Sequence, residues 1–147
     1  EVDSGLAFPN GVVTSPDQSL LYVSDTRGQF VYSYQIQSDG SLADKQRYFH
    51  LHIPDGETDS GADGMTVDAQ GRLYVTTRLG VQFCDQAGRV NGIISRPGKG
   101  WLSNVVFGGP ERNELYATCG ERVYKRKTRV KGLLPFEAPI KPPAPRL

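Results

Sequence analysis

The sequence lacks long apolar runs and has no strong excess of one charge. No hydrophobic stretch approaches the roughly 18 residues that a membrane-spanning helix needs, so we expect no membrane span. Seventeen Lys and Arg residues stand against sixteen Asp and Glu residues, which gives a formal net charge of +1. This balance gives the chain as a whole no attraction to nucleic acid or to an anionic membrane. We therefore expect neither of them as a partner.

Cysteine is also scarce, because only Cys84 and Cys119 occur. Their spacing is not that of a zinc site or a redox site. The sequence leaves open whether the two thiols pair or stay free. The simplest interpretation makes both of them small apolar residues of the core.

Helical periodicity is missing, whereas turn-forming and aromatic residues are plentiful. No long stretch places apolar residues at helical spacing. The 17 Gly, 10 Pro, 7 Tyr and 6 Phe residues instead favour many short strands joined by turns. The sequence therefore predicts an all-β fold.

Three segments of the chain repeat one pattern. Each begins with Asn or Asp, at Asn10, Asp63 and Asn104, and reaches a Leu-Tyr pair ten or eleven residues later. The pairs recur after 52 and then 42 residues, at Leu21-Tyr22, Leu73-Tyr74 and Leu115-Tyr116. Each segment contains short strands separated by turn residues. A period of about 40 to 50 residues with four strands is typical of one blade of a β-propeller.

The repeats predict a single domain that is only part of a propeller. We assign residues 1–135 to about three blades, half of a six-bladed propeller, and residues 136–147 to a Pro-rich tail, extended on the surface or disordered. Propellers close with about four to eight blades, because each blade must bury both of its faces. The chain opens at Glu1 without Met or a signal peptide. We therefore expect a missing N-terminal half or a second copy to complete the ring, and the compartment, cytoplasmic or exported, stays open.

The recurring Asn and Asp residues are candidate ligands. In a propeller the first strand of each blade lines the central channel, so Asn10, Asp63 and Asn104 would lie at equivalent points near one mouth. One carboxylate and two amide carbonyls form a hard-oxygen set suited to Ca²⁺, Mg²⁺ or Mn²⁺. Asn-Gly and Asp-Gly are also common turn dipeptides. The spacing alone leaves both interpretations open.

The same residues resemble the senescence marker protein (regucalcin), gluconolactonase and lactonase-like family of six-bladed propellers. The resemblance runs from about Phe8 to Tyr124 and is that of the C-terminal half of such a protein. It rests on the order and spacing of several short stretches. These are Pro9-Asn10-Gly11, Ser15-Pro16-Asp17, Leu21–Thr26, Asp63-Gly64-Met65, Asp68, Gly71–Val75, Ser103–Pro110 and Leu115-Tyr116.

The resemblance implies one divalent metal ion at the channel mouth, with Ca²⁺ preferred and Zn²⁺ or Mg²⁺ as alternatives. The family's Asn ligand falls on Asn10 and its Asp ligand on Asp63, whereas its first-blade Glu ligand and its sugar-binding residues have no counterpart. The implied reaction is hydrolysis of a sugar lactone, with Asp63 also acting as the catalytic acid and base. Asn104 and Trp101 are substrate-pocket candidates only. With two of three ligands, the chain alone is expected to hold metal weakly and to have little or no lactonase activity.

Two other functions stay open at this stage. One is a non-catalytic propeller scaffold that binds a sugar, a metal or a protein, and the other is a metal-independent propeller of the strictosidine synthase-like kind. The acidic loop 55–63 lacks the carboxylate spacing of an EF-hand, so we expect a mobile, solvated loop beside the channel mouth. The basic run 125–131 lacks interleaved aromatic residues and predicts a solvated outer strand.

Overall fold

The computed structural model of the protein describes residues 1–133 and 136–144. Within these ranges the chain forms β-strands joined by turns and loops, and no described segment is long and apolar enough as a helix to cross a membrane. The strands are β1 (Pro9–Thr14), β2 (Leu20–Asp25), β3 (Phe30–Ile36), β4 (Leu42–His50), β5 (Met65–Val67), β6 (Leu73–Thr77), β7 (Gly80–Cys84), β8 (Val90–Ser95), β9 (Leu102–Gly108), β10 (Glu114–Cys119) and β11 (Arg122–Lys127).

The strands form three antiparallel sheets that follow one another along the chain. The first sheet has the order β1-β2-β3-β4 and the second the order β5-β6-β7-β8. The third sheet, β9-β10-β11, has three strands within the described residues, where the repeat predicts about four. Its outer strand β11 carries the exposed residues 125–127 of the basic run, whereas residues 128–131 lie beyond the strand. The all-β prediction and the blade-like meander of each repeat are confirmed.

Alternating burial explains why the repeats fold as strands. In β9, Leu102, Val105 and Phe107 are buried, whereas Asn104 and Val106 are exposed. Successive side chains of a strand point to opposite faces, so one face of this sheet packs on its neighbour while the other stays open. An irregularity in the β9–β10 pairing falls between Leu102 and Asn104, where the strand changes register.

A buried carboxylate closes the turn between β5 and β6. Asp68 accepts hydrogen bonds from the backbone N–H groups of Gln70 and Arg72, from the Arg72 Nε at 2.7 Å and from the Tyr74 hydroxyl at 3.0 Å. Gly71 follows with φ +78°, a conformation that glycine adopts at little cost. The turn predicted at this point of the repeat is therefore confirmed, and its carboxylate is fully engaged in it.

The core consists of two apolar layers that separate the three sheets. Phe49 of the first sheet and Leu73 of the second are fully buried in one layer, and Tyr74 of the second sheet packs against Phe107 of the third in the other. Burying a side chain of this size stabilises a fold by about 1.5–3 kcal/mol. The second sheet therefore packs against a neighbouring sheet on each of its two faces, as a propeller blade packs between its neighbours.

The two cysteines confirm their interpretation as core residues, and the C-terminal segment lies on the surface. Cys84 and Cys119 are free and buried, one in each apolar layer. The described part of the tail has no regular secondary structure and lies on the surface, where Ile140 donates its N–H to the Pro16 carbonyl at 2.9 Å. Residues 145–147 of the predicted tail lie outside the described residues.

Candidate functional site

The first strands of the three sheets lie side by side, and their starting residues meet. The Ser24 hydroxyl of the first sheet donates to the Asp63 carbonyl at 2.9 Å. The Gly64 N–H of the second sheet donates to the Ser103 carbonyl of the third at 2.9 Å. Three segments that are far apart in sequence therefore converge at one end of the stacked sheets.

Glycine permits this close approach. A Cβ added to Gly11 would lie 2.2 Å from the Asp63 carbonyl oxygen, and one added to Gly64 would lie 2.1 Å from the Asn104 Oδ1. Neither glycine has a positive φ, and Gly11 lies within β1. The glycines after Asn10 and Asp63 therefore let neighbouring blades touch and do not form the two-residue turns that such dipeptides often make.

Two hydroxyl groups join the Asn10 segment to the Asp63 segment. They belong to Ser24 in β2 and to Thr26 in the turn that follows β2. The Thr26 hydroxyl accepts a hydrogen bond from the Asn10 Nδ2 at 3.2 Å and donates to the Ala62 carbonyl at 2.6 Å. The buried Ser24 hydroxyl accepts the Gly11 N–H at 2.8 Å while it donates to the Asp63 carbonyl. The segments that carry the predicted ligands Asn10 and Asp63 are thus joined across adjacent blades.

The two side chains each keep one oxygen open. Asn10 is exposed and uses its Nδ2 as a donor, so its Oδ1 accepts nothing from the residues that the structure describes. Asp63 is half-buried, and its Oδ2 accepts the indole N–H of Trp101 at 2.7 Å. The Asp63 Oδ1 has no hydrogen-bond donor among the described residues. Ca²⁺ and Mg²⁺ prefer oxygen ligands such as amide carbonyl and carboxylate oxygens. The two open oxygens of Asn10 and Asp63 therefore fit a hard divalent cation.

The third recurring residue differs from the first two. Asn104 is exposed on β9, and its Oδ1 accepts the N–H of the next residue, Val105, at 2.9 Å. Its amide oxygen is therefore engaged locally and lies against Gly64. Over residues 1–133 and 136–144 there is no cluster of three or more His, Cys, Asp or Glu side chains suited to a metal ion. The open oxygens are those of Asn10 and Asp63, and further ligands would have to come from elsewhere.

A cavity of about 550 Å³ opens beside Trp101. Its walls come from the β4–β5 loop, the β6–β7 turn and the β8–β9 loop, and its charged lining residues are Glu57, Arg78 and Arg96. Trp101 lines this cavity and also donates its indole N–H to Asp63, which is not itself a lining residue. The structure thus places the pocket candidate Trp101 at the junction of the two.

Sequence reasoning missed Arg78, a cavity-lining residue that contacts two acidic side chains and Trp101. Its Nε lies 2.9 Å from the Asp59 Oδ1 and 3.8 Å from the Glu57 Oε2, and its guanidinium lies over the Trp101 ring, 5.4 Å from the centroid. The hydrogen bond from Arg78 lowers the pKa of Asp59 below its ordinary value and raises the pKa of Arg78. A lone Arg in a turn carries no pattern that would have identified it.

The acidic loop is therefore only partly the solvated segment that the sequence predicts. Residues 55–58 are exposed, but Ser60 and Ala62 are fully buried. The Ser60 hydroxyl donates to the Gly28 carbonyl at 2.9 Å, which fastens the loop to the first sheet. Gln82 of the second sheet is also fully buried, and at the start of the loop its Oε1 accepts the His52 N–H while its Nε2 donates to the His52 carbonyl.

Most of the chain matches the model of a known family. The family model described as SMP-30/Gluconolactonase/LRE-like region matches residues 1–121, which include all three recurring Asn and Asp residues. The chain belongs to this family. Among its relatives is a gluconolactonase of Zymomonas mobilis, 31% identical over 136 residues that cover 89% of this chain and 38% of that protein. Another is a pentonolactonase of Haloferax volcanii, 30% identical over 80% of this chain and 40% of that protein.

Solved structures of the family place the fold among its propellers. A gluconolactonase from Xanthomonas campestris matches with a TM-score of 0.67 and 30% identity, over 88% of this chain and 39% of that one. A regucalcin from Agrobacterium tumefaciens matches with a TM-score of 0.76 over 91% of this chain and 50% of that one, and at 19% identity it supports the fold alone. The chain spans about 40% of the length of the curated relatives named above.

Proposed function

We propose that this chain supplies two metal ligands and the proton-transfer carboxylate of a metal-dependent sugar-lactone hydrolase. Membership of the family and the likeness to a gluconolactonase and a pentonolactonase support a lactone as the substrate class. The observation that carries the proposal is the hydrogen-bonded junction between the Asn10 and Asp63 segments of adjacent blades. Thr26 bonds the Asn10 side chain and the Ala62 carbonyl, and Ser24 bonds the Gly11 N–H and the Asp63 carbonyl. Asn10 and Asp63 each keep one side-chain oxygen without a hydrogen-bond donor among the described residues.

The chemistry of lactone opening needs charge stabilisation and proton transfer. A bound divalent cation supplies positive charge that stabilises the oxyanion formed when water attacks the ester carbonyl. In this chain the Asn10 Oδ1 and the Asp63 Oδ1 would hold that cation. The Asp63 carboxylate would also accept a proton from the attacking water and return it to the leaving alkoxide. Such proton transfer typically accelerates a reaction by about 10²–10⁴-fold.

The cavity beside Trp101 would receive the sugar. Its volume of about 550 Å³ lies within the usual range for small-molecule sites, about 300–1,000 Å³. The charged groups of Arg78, Arg96 and Glu57 offer hydrogen-bond donors and acceptors to hydroxyl groups. We retain Trp101 and Asn104 as pocket candidates. We also retain the proposal that a missing N-terminal half or a second copy completes the ring.

The test separates the monomer from larger assemblies of the protein and assays each of them for lactone hydrolysis. Light scattering identifies monomer and larger assemblies, and opening of gluconolactone is followed by acid release with Ca²⁺, with Zn²⁺ and after chelation. We expect little or no turnover by the monomer, and metal-dependent turnover by a species that completes the ring. Asp63→Ala should reduce that turnover by about 10²-fold or more, because proton transfer is lost.

The matched control is Asp55→Ala, which removes an exposed carboxylate from the same loop. It should leave turnover unchanged. Rapid turnover by a proven monomer would contradict the view that the chain is incomplete as a catalyst. Turnover that survives chelation or Asp63→Ala would contradict the metal-dependent mechanism. Absence of turnover in every species would favour the alternative of a non-catalytic scaffold.

A further inference from the structure

One continuous set of contacts connects Asp59 of the acidic loop with the proposed catalytic carboxylate of Asp63 at the end of the same loop. It runs from Asp59 to the Arg78 guanidinium at 2.9 Å, from that guanidinium to the Trp101 ring at 5.4 Å, and from the Trp101 indole N–H to Asp63 at 2.7 Å. The four residues belong to three separate connections at the same end of the sheets. The proposed function above gives Arg78 and Trp101 a place in the sugar cavity, but it assigns neither of them, nor Asp59, a task toward the Asp63 carboxylate.

The indole is well suited to orient a carboxylate. Its N–H is a donor only and cannot accept a hydrogen bond, so it fixes one carboxylate oxygen without competing for a cation. A hydrogen bond to an ionised acceptor is also stronger than a neutral one. Because Trp101 engages the Asp63 Oδ2, the Asp63 Oδ1 is the oxygen left for another partner.

The surroundings hold the Trp101 ring in place. The Trp101 carbonyl accepts the Gly120 N–H at 2.9 Å, which fixes the backbone beneath the ring. Gly61 lies against the ring edge, because a Cβ added there would meet the Trp101 Cη2 at 3.0 Å and the Arg78 Cγ at 2.7 Å. The Gly61 N–H donates to the Thr26 carbonyl, so the same loop touches the residue that binds Asn10.

We propose that Trp101 is a positioning residue that orients the Asp63 carboxylate toward a divalent cation, and that Arg78 and Asp59 hold the indole in its place. This proposal rests on the proposed function, because it concerns the same metal site at Asn10 and Asp63. Groups that orient a metal ligand typically raise metal affinity by about 10–100-fold. Loss of the indole N–H should therefore weaken cation binding even though Trp101 does not touch the cation.

The first measurement tests the contact without metal. Trp101 is the only tryptophan, so the protein has a single indole N–H resonance in its proton–nitrogen NMR spectrum. A charge-assisted hydrogen bond shifts this resonance downfield and slows its exchange with water. We expect Asp63→Ala to move it upfield and to accelerate exchange. An unmoved resonance would overturn the positioning role whether or not the chain binds a metal.

The second measurement tests the consequence for Ca²⁺. Trp101→Phe keeps a smaller aromatic ring beneath Arg78 and removes the indole N–H, so we expect a loss of Ca²⁺ affinity of about 10-fold. The matched control is Tyr116→Phe, which removes an O–H donor from the Glu114 carboxylate on the outer face of the third sheet. It should bind Ca²⁺ as the unmodified protein does.

The outcomes separate the two proposals. Equal Ca²⁺ affinity in Trp101→Phe and the unmodified protein would overturn the positioning role and leave the proposed function standing. No Ca²⁺ binding by any form would count against the metal site itself, and the indole resonance would then decide the positioning role. Both Phe variants should retain the far-ultraviolet circular dichroism of the unmodified protein, which excludes unfolding as the cause.

Discussion

Gly11→Ala directly tests the close contact between the first two blades. The added Cβ would lie 2.2 Å from the Asp63 carbonyl oxygen and 3.1 Å from the Ser24 Oγ, whereas ordinary contacts begin at 3.4 Å. The strands would have to separate by about 1 Å to relieve the overlap. The Ser24 hydroxyl, now 2.8 Å from the Gly11 nitrogen and 2.9 Å from the Asp63 oxygen, would then lose at least one of its two bonds.

The expected cost follows from these contacts. Overpacking of a tight site costs about 1–3 kcal/mol, and each lost hydrogen bond adds about 1 kcal/mol. Urea unfolding followed by circular dichroism should therefore show a free energy of unfolding lower by about 2–4 kcal/mol, with an unchanged denaturant dependence. The control is Val12→Ala, the next residue of β1, which is 62% exposed and should change stability by less than about 0.5 kcal/mol. Equal stability of the two variants would refute the close contact.

Three further predictions concern the surrounding residues. Gln82→Leu should lower the free energy of unfolding by about 2–4 kcal/mol in the same urea assay, because the buried amide bonds twice to the His52 backbone. Cys84 is fully buried, and burial raises the pKa of its thiol to about 12, so it should react with a thiol reagent only after unfolding. Arg78 lowers the pKa of Asp59, so this ion pair stabilises the fold above pH 4 and fades as the pH falls through the lowered pKa. The stability difference between the unmodified protein and Asp59→Asn should therefore shrink in acid, and a pH-independent difference would contradict this assignment.

The repeat made much of the fold predictable. Because the Leu-Tyr pairs recur at equivalent points, β2, β6 and β10 could be placed from the sequence, and turn residues marked where each strand ends. The third sheet departs from the pattern, since it has three strands within the described residues instead of about four. Strands could be predicted because the alternation of apolar and polar residues is visible in a short stretch of sequence.

The site was predictable only in part, for a physical reason. Asn10 and Asp63 occupy equivalent points of a repeat, so the sequence could name them as partners. The contacts of Trp101 with Asp63 and with Arg78 join separate loops, and their geometry depends on how the blades stack. The sequence likewise could not decide whether the glycine after Asn10 forms a turn or a close approach, because both uses need the same absence of a Cβ.

The proposed metal site requires that the Asn10 amide and the Asp63 carboxylate bind one cation together. A Ca²⁺ titration followed by NMR can report on both, through the Asn10 side-chain NH₂ and the N–H of Gly64, which follows Asp63. We predict that the two signals shift along one saturation curve, and that Asp63→Asn weakens both responses by about 10-fold or more. Signals that stay still, or that shift equally in Asp63→Asn, would contradict a shared metal site.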